Sequence, residues 1–194
     1  CYEEAHRLDP DFALACTGLA RCYFRQGNFG EVSSKITYPK ARMAVERALT
    51  VDPTSAESHV ILASLKMYDE LNWESAGHSF AKALQLKSEI PIVYREYGWY
   101  LTGLKQYDRA IEVMKIALQY DPISPLLHAS ISVVYRYKKD YKQSIVFAQK
   151  ALDLNPEFRY ALECLGFTYT MMEEYEKALR VFHQYKKLVP HPLA

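Results

Sequence analysis

The sequence predicts an all-α fold: an α-α superhelix, or solenoid, of about five helix-turn-helix repeats preceded by a partial helix. Three observations predict it: a block that recurs about every 34 residues, two amphipathic patterns within each block, and a low content of glycine and proline. The 194 residues include only 7 glycines and 9 prolines, too few for a turn-rich β fold. Since 49% of the residues are hydrophobic, the chain can also bury a sizeable core.

The end of each repeat is marked by the block Ala-Leu-x-Leu/Tyr-Asp/Asn-Pro. Closely related copies occupy residues 48–53, 117–122 and 151–156, and a degenerate copy occupies 83–88. The alanines of successive copies lie 35, 34 and 34 residues apart. The Asp-Pro or Asn-Pro pair ends a helix because proline pushes the preceding residue out of the α region. Self-similarity at this period is typical of stacked helical repeats.

Each repeat is predicted to contain two amphipathic helices. The first carries a bulky apolar residue followed by a small one, at 19–20, 62–63, 97–98, 131–132 and 165–166. An aromatic residue follows near the turn: Phe29, Trp73, Tyr107, Tyr141 and Tyr175. The second helix carries a small residue three positions later: Ala76, Ala110, Ser144 and Ala178, with Ala41 in this place in the first repeat. Small side chains let antiparallel helices approach closely, and the aromatic rings fill the space between pairs.

We interpret residues 1–194 as one solenoid domain. The repeats lie near 13–53, 56–90, 91–124, 125–158 and 159–192, after a partial helix at 1–8. The first repeat carries an insertion at 30–38, Gly-Glu-Val-Ser-Ser-Lys-Ile-Thr-Tyr, which we expect to lengthen the loop between its helices. Three residues depart from the pattern and are expected to alter local packing: Ser88 in the proline position, Lys66 in an aromatic or leucine position, and Tyr185 in the alanine position.

This pattern resembles the tetratricopeptide repeat family, with five motifs in phase over nearly the whole chain. Finer details are similar to the C-terminal tetratricopeptide segment of bacterial multidomain signalling proteins. These details are a long first loop ending in Tyr-Pro-Lys-Ala, then Asp52-Pro53 before Ala-Glu-Ser-His, then a Trp-bearing turn. In those proteins the partner domain is a winged-helix regulator, a Ser/Thr kinase or a nucleotide cyclase. The resemblance therefore implies a non-catalytic sensory or scaffolding module of a larger signalling protein.

The candidate partner-binding groove is the concave face that the first helices of a solenoid line. We assign to it Arg21, Arg25, Ser64, Tyr68, Arg95, Trp99, Arg136, Tyr137 and Phe167. Aromatic anchors beside arginine are typical of binding hot spots. We expect a peptide to lie against Trp99, Tyr137 and Phe167, with Arg95 and Arg136 pairing its acidic groups. The alternative is that some of these rings are buried between helices and the arginines are only solvated.

Two other function classes stay open, a helical-repeat RNA-binding module and an enzyme with an unrecognised site. The aromatic residues of the groove could stack bases, but its arginines are offset by Glu57, Glu96 and Glu163 and the net charge is +1. We therefore expect no nucleic-acid partner. The sequence contains no glycine-rich phosphate loop, HExxH or GxSxG motif, and its six histidines lack ligand spacing. We expect no catalytic, cofactor-binding or metal-binding residues. No apolar run approaches the roughly 18 residues of a membrane span, so we expect no membrane insertion.

The cysteines and the two ends of the chain give further expectations. Cys1, Cys16, Cys22 and Cys164 show no metal-ligand spacing, and we interpret them as small apolar core residues. Unpaired thiols suit a cytoplasmic location; the alternative is the periplasm, for a chain fused to a membrane-anchored regulator. Both terminal faces are expected to expose apolar side chains. End-to-end self-association would then use Tyr2, Phe182 or Leu188.

Overall fold

The computed structural model describes residues 2–28, 30, 32–86 and 89–188. Over these residues the chain forms eleven α-helices and no strand, so the all-α prediction is confirmed. The helices are α1 (Tyr2–Leu8), α2 (Ala13–Asn28), α3 (Ser34–Val51), α4 (Ala56–Tyr68), α5 (Trp73–Gln85), α6 (Pro91–Gly103), α7 (Tyr107–Tyr120), α8 (Pro125–Tyr137), α9 (Tyr141–Leu154), α10 (Arg159–Met171) and α11 (Tyr175–Leu188). None of these helices combines the length and the apolar character that crossing a bilayer requires.

The chain folds as two compact units, Cys1–Tyr100 and Leu101–Ala194. In the second unit, α7, α9 and α11 begin at residues spaced by the 34-residue period, and so do α8 and α10. Proline is the first residue of α8, a position where its missing N–H costs no hydrogen bond. Within this unit, equivalent helices therefore begin 34 residues apart, which is the repeat length of the sequence. A single continuous solenoid over residues 1–194 stays a prediction.

The turn inside each helix pair repeats its backbone conformation. Four non-glycine residues at steps of 34 have positive φ: Leu71 (53°), Lys105 (60°), Lys139 (66°) and Glu173 (60°). The next amide donates back to the preceding helix, from Gln106 to the carbonyl of Leu101 and from Asp140 to that of Tyr135, both at 2.9 Å. This is the Schellman closure, which glycine usually provides. A side chain in this conformation costs about 1–3 kcal/mol, so the surrounding turn must hold it in place.

One hydrophobic cluster of the first unit contains Phe80 of α5. Its ring is fully buried, and its centroid lies 5.8 Å from that of Tyr97 and 5.2 Å from that of Tyr100. Ala76 and Ala83, both at 0% exposure, belong to the same cluster. Because these alanines have no side chain beyond Cβ, the neighbouring helices can approach closely. Trp73, the aromatic residue that the repeat pattern predicts to pack here, stacks on Tyr100 at 6.0 Å and packs against this cluster. The repeat pattern assigns no packing role to Phe80.

The second unit joins α8, α9 and α10 through buried hydroxyl groups. Ser132 on α8 donates to the Ser144 carbonyl at 2.8 Å, and the two hydroxyl oxygens lie 3.1 Å apart. The Ser144 hydroxyl lies 2.8 Å from that of Thr168 on α10, which donates to the carbonyl of Cys164 at 2.7 Å. All three hydroxyl residues are buried and satisfied, as buried polar groups must be. Serine and threonine thus keep the helices close while their hydroxyls bond each other.

The insertion in the first repeat is only partly a loop. Helix α3 begins at Ser34, so residues 34–38 are helical and the prediction that 30–38 lengthens the loop is wrong for this part. The reason is tertiary packing: Thr37 and Tyr38 are buried, and the Tyr38 ring stacks on Phe24 of α2 at 5.7 Å. Pro39 lies inside α3, and the helix persists around it despite the amide donor that proline lacks.

The departures from the repeat pattern have local consequences. Lys66 on α4 donates its Nζ to the Ser79 hydroxyl of α5 at 3.0 Å, so a polar contact replaces the expected apolar one within this helix pair. Tyr185 is half-buried on α11. Phe29 and Ser88, to which the sequence analysis also assigns roles, lie outside the described residues.

Candidate partner-binding site

The predicted groove residues fall into two sets, one in each compact unit. The first unit holds Arg21, Arg25, Ser64, Tyr68, Arg95 and Trp99, and the second holds Arg136, Tyr137 and Phe167. The two sets are described separately, and each is judged by its own contacts.

Two predicted groove arginines of the first unit, Arg21 and Arg95, donate hydrogen bonds to glutamate side chains. Arg21 on α2 donates to Glu57 on α4 at 2.8 Å and to the Tyr2 hydroxyl at 3.3 Å. Arg95 donates to Glu96, its neighbour on α6, at 2.5 Å. An anionic ligand at these sites would have to displace or share an existing carboxylate. Two of the three glutamates that offset the groove charge in the sequence, Glu57 and Glu96, are therefore direct partners of its arginines.

The other groove residues of the first unit differ in their accessibility. Ser64 is 1% exposed, so its hydroxyl belongs to the interior and its assignment to a binding surface is wrong. A residue at an outward position on a helical wheel can be covered when a neighbouring helix packs over it. Tyr68 is 43% exposed and its ring lies 5.9 Å from that of Phe24. Arg25 is exposed and Trp99 is half-buried.

The second unit brings its three predicted residues together. The guanidinium of Arg136 on α8 lies 5.5 Å from the ring centroid of Tyr137 and 5.6 Å from that of Phe167 on α10. Phe167 in turn packs edge-on against Phe182 of α11 at 5.6 Å. Tyr137 is 53% and Phe167 41% exposed. The result is a half-buried cation between two aromatic rings that remain accessible to a ligand.

Arg136 differs from Arg21 and Arg95 in its hydrogen bonding. Its Nε is buried and has no hydrogen-bond partner, and no carboxylate of the described residues forms an ion pair with it. An unsatisfied buried donor costs about 1–3 kcal/mol. A carboxylate or phosphate oxygen of a ligand would bond the terminal nitrogens of this guanidinium, since the enclosed Nε lies out of its reach. We define Arg136, Tyr137 and Phe167 as the arginine–aromatic site.

The cysteine thiols have contrasting environments. Cys16 and Cys164 are 0% and 2% exposed, as predicted for core residues, whereas Cys22 is exposed and its core assignment is wrong. Burial raises the pKa of the Cys164 thiol from 9.0 to about 12, against an opposing effect of the Arg136 charge. Cys1 lies outside the described residues.

We expect iodoacetamide at pH 8 to modify Cys22 in the native protein and to leave Cys164 unmodified until denaturant is added. Only the thiolate reacts, and both burial and the raised pKa keep Cys164 as a thiol. In the unfolded chain the Cys164 thiol has a pKa near 9.0, whereas in the folded protein it stays protonated up to a pH of about 12. The free energy of unfolding should therefore fall as the pH rises through this range. Mass-spectrometric peptide mapping with and without urea measures the labelling. Equal native labelling rates at both residues would contradict the assignment.

Side chains that could ligate a metal are dispersed over the described residues. No group of three or more His, Cys, Asp or Glu side chains within the described ranges could hold a metal ion. His59 and His128 each place Nε2 near the carbonyl of a preceding proline, Pro53 at 2.9 Å and Pro122 at 3.1 Å. A carbonyl only accepts, so the ring N–H donates, and both histidines brace the turn before their helix.

The residues predicted at the terminal faces are only partly exposed. Tyr2 is 38% exposed, and Phe182 and Leu188 are half-buried. Leu188 lines a cavity of about 740 Å³ between α9, α10 and α11 that the sequence analysis did not anticipate. The available signal was a comparison across one period, since Val181 of the cavity stands 34 residues after Phe147. Self-association through the ends stays a prediction.

Known proteins similar to this chain support the repeat assignment. Residues 127–158 match the family model of the tetratricopeptide repeat. The human antiviral innate immune response effector IFIT1 is 29% identical over 137 residues, which cover 70% of this chain and 28% of IFIT1. The chain thus spans less than a third of that relative.

Solved structures give the same fold. A monomeric mutant of IFIT1 with Gppp-AAAA superposes with a TM-score of 0.84 at 24% identity, covering 98% of this chain and 45% of that one. YrrB, a TPR protein with an unusual peptide-binding site, has a TM-score of 0.59 at 17% identity, covering 100% of this chain and 94% of that one. The chain therefore has the helical fold of tetratricopeptide repeat proteins, and residues 127–158 match the repeat family itself.

Proposed function

We propose that this chain is a non-catalytic scaffold that binds a protein or peptide partner, with the arginine–aromatic site as one anchor point. The observation that supports it is the Arg136 guanidinium, half-buried between two accessible rings and without an ion-pair partner among the described residues. Arginine and aromatic residues dominate binding hot spots. A partner segment would place an acidic group on Arg136 and an apolar side chain against Phe167 or Tyr137.

The strength of this anchor comes from its partial burial. The carboxylate of a ligand would form charge-assisted hydrogen bonds with the guanidinium, in surroundings from which Phe167 and Phe182 exclude part of the water. Removal of one partner from a desolvated pair costs more than removal from a solvated surface pair, which contributes about 0–1 kcal/mol. The guanidinium is also held against the rings of Tyr137 and Phe167, so removal of Arg136 should affect binding more than removal of an exposed arginine.

The experiment selects peptides from a phage-displayed library of random 12-residue sequences on the purified protein, then measures binding of the enriched peptide as a synthetic compound. We expect Asp or Glu near an aromatic or aliphatic residue in the enriched sequences. Arg136→Gln should weaken binding at least tenfold, because it removes the charge and keeps much of the side chain. The matched control is Arg159→Gln, an exposed arginine at the start of α10, which should change affinity less than twofold. Equal affinity for wild type and Arg136→Gln would contradict the proposal.

RNA is the second candidate ligand, and one observation favours it: the IFIT1 structure similar to this chain contains Gppp-AAAA. Stacked rings beside arginine can also hold unpaired bases. Against it stand the net charge of +1 and the neutralisation of Arg21 and Arg95 by Glu57 and Glu96. A single-stranded oligoadenylate tests it at 50 and 200 mM salt. Micromolar binding that weakens steeply with salt would replace the peptide proposal.

The regulatory role rests on the sequence resemblance alone. We propose a sensory or regulatory module of a larger bacterial signalling protein in the cytoplasm, because the first-repeat insertion and the Trp-bearing turn are similar to such segments. The test is the open reading frame around this segment. A winged-helix, kinase or cyclase domain in the same frame is the expected result, and a frame without any signalling domain would overturn this role while leaving the scaffold proposal standing.

A further inference from the structure

The cavity of the second unit shares α10 with the arginine–aromatic site, but its other helices are α9 and α11. It has a volume of about 740 Å³ and is lined by the C-terminal half of α9, by α10 and by α11. Its apolar lining includes Leu152, Leu162, Leu165 and Val181, each 2–9% exposed. We call it the α9–α11 cavity.

The preceding repeat shows what occupies the equivalent place. One period earlier, the ring of Phe147 on α9 stacks on Tyr135 at 5.4 Å and contacts the ring of His128 at 6.0 Å. The corresponding residues of the next repeat are Val181, Tyr169 and Leu162. Two of the three rings are thus replaced by aliphatic side chains. The Phe147 ring thus packs against two rings of α8, whereas its counterpart Val181 on α11 lines the cavity together with Leu162 and Tyr169 of α10.

The charges around the α9–α11 cavity are distributed unevenly. Lys177, Arg180 and Lys187 line it from α11, whereas Asp153 and Glu157 line it from the end of α9 and the following turn. Asp153 already accepts a hydrogen bond from Gln149 at 3.0 Å. Lys177 pairs with Glu174, but neither Arg180 nor Lys187 forms an ion pair with a described residue. The α11 side therefore attracts carboxylates.

We propose that the α9–α11 cavity binds an acidic peptide segment of a partner protein through one aromatic anchor residue. The anchor ring enters beside Val181, at the place that Phe147 fills in the preceding repeat, and packs on Leu162, Leu165 and Tyr169. Carboxylates on either side of the anchor lie along α11 and pair with Arg180 and Lys187. Burial of an aromatic side chain supplies most of the affinity. The charges on α11 select a negatively charged peptide and set its orientation in the cavity.

The test uses the ¹⁵N-labelled protein and a seven-residue peptide with a central tryptophan flanked on each side by three acidic residues. We expect amide shifts concentrated at Leu162, Leu165 and Val181. A peptide with alanine in place of tryptophan, and a peptide with lysines in place of the acidic residues, should each bind at least tenfold more weakly. Equal binding of the lysine peptide, or shifts concentrated at Arg136 instead, would overturn the proposal.

Two variants separate binding from folding. Val181→Phe fills the cavity with the residue that the preceding repeat uses, so we expect an unchanged or higher Tm together with at least a tenfold loss of affinity. Arg180→Glu should weaken binding at least fivefold, whereas the matched Arg159→Glu should not. Arg136→Gln, which tests the proposed scaffold function, should leave this binding unchanged. If the Val181→Phe protein is folded and keeps full affinity, the proposal is contradicted. If that variant unfolds, full affinity of the Arg180→Glu protein contradicts the proposal instead.

Discussion

Replacement of Phe80 by alanine is expected to lower the free energy of unfolding by about 3–5 kcal/mol, the usual loss for a fully buried phenylalanine. Phe80 has no exposed surface and its ring contacts those of Tyr97 and Tyr100. Truncation therefore removes both its buried area and two aromatic contacts. Ala76 and Ala83 of the same cluster have no side chain that could extend into the space, so we expect part of the cavity to persist. Urea denaturation followed by circular dichroism measures the loss.

The matched control for Phe80 is Phe12→Ala, which makes the same chemical change at a side chain that is 44% exposed. We expect a loss of about 1 kcal/mol or less there, since most of its surface is already in water. Losses of equal size at the two positions would mean that Phe80 is not the central side chain of its hydrophobic cluster.

Ser144→Leu is expected to destabilise the second unit by about 2–4 kcal/mol. Ser144 is fully buried where α8, α9 and α10 meet, and a leucine there must push the helices apart, which alone costs about 1–3 kcal/mol. The change also removes the hydroxyl that lies 2.8 Å from that of Thr168. Thermal and urea denaturation measure the effect, and the helical content below the transition shows whether the fold persists.

Ser144→Ala is the control that the chain itself suggests, because Ala110 and Ala178 occupy the same position one period before and after. It keeps the close approach of the helices and removes only the hydroxyl. We expect a loss of about 1 kcal/mol or less, the net value of a typical hydrogen bond. If alanine were as damaging as leucine, the hydroxyl contacts rather than the small volume would hold this junction together.

The candidate site was predictable to different degrees in its parts. The sequence placed Arg136, Tyr137 and Phe167 on one face of the first helices, and the structure brings them into contact. It could not show that Ser64 is covered by packing. Nor could helical periodicity distinguish the neutralised Arg95 from the unpaired Arg136, since that difference depends on which carboxylate side chain comes within a few ångströms.

Local patterning by itself determined the helices and their 34-residue spacing. Proline ends a helix through its own backbone, and the periodic small residues define the contact faces, so both features can be identified without tertiary contacts. The extension of α3 into residues 34–38 was decided by the packing of Tyr38 on Phe24. Likewise, Lys105 and Lys139 adopt positive φ because helix pairing and turn closure outweigh their intrinsic preference. Tertiary packing also determines the α9–α11 cavity. Its unfilled volume depends on the separation of three helices, which no single segment of sequence specifies.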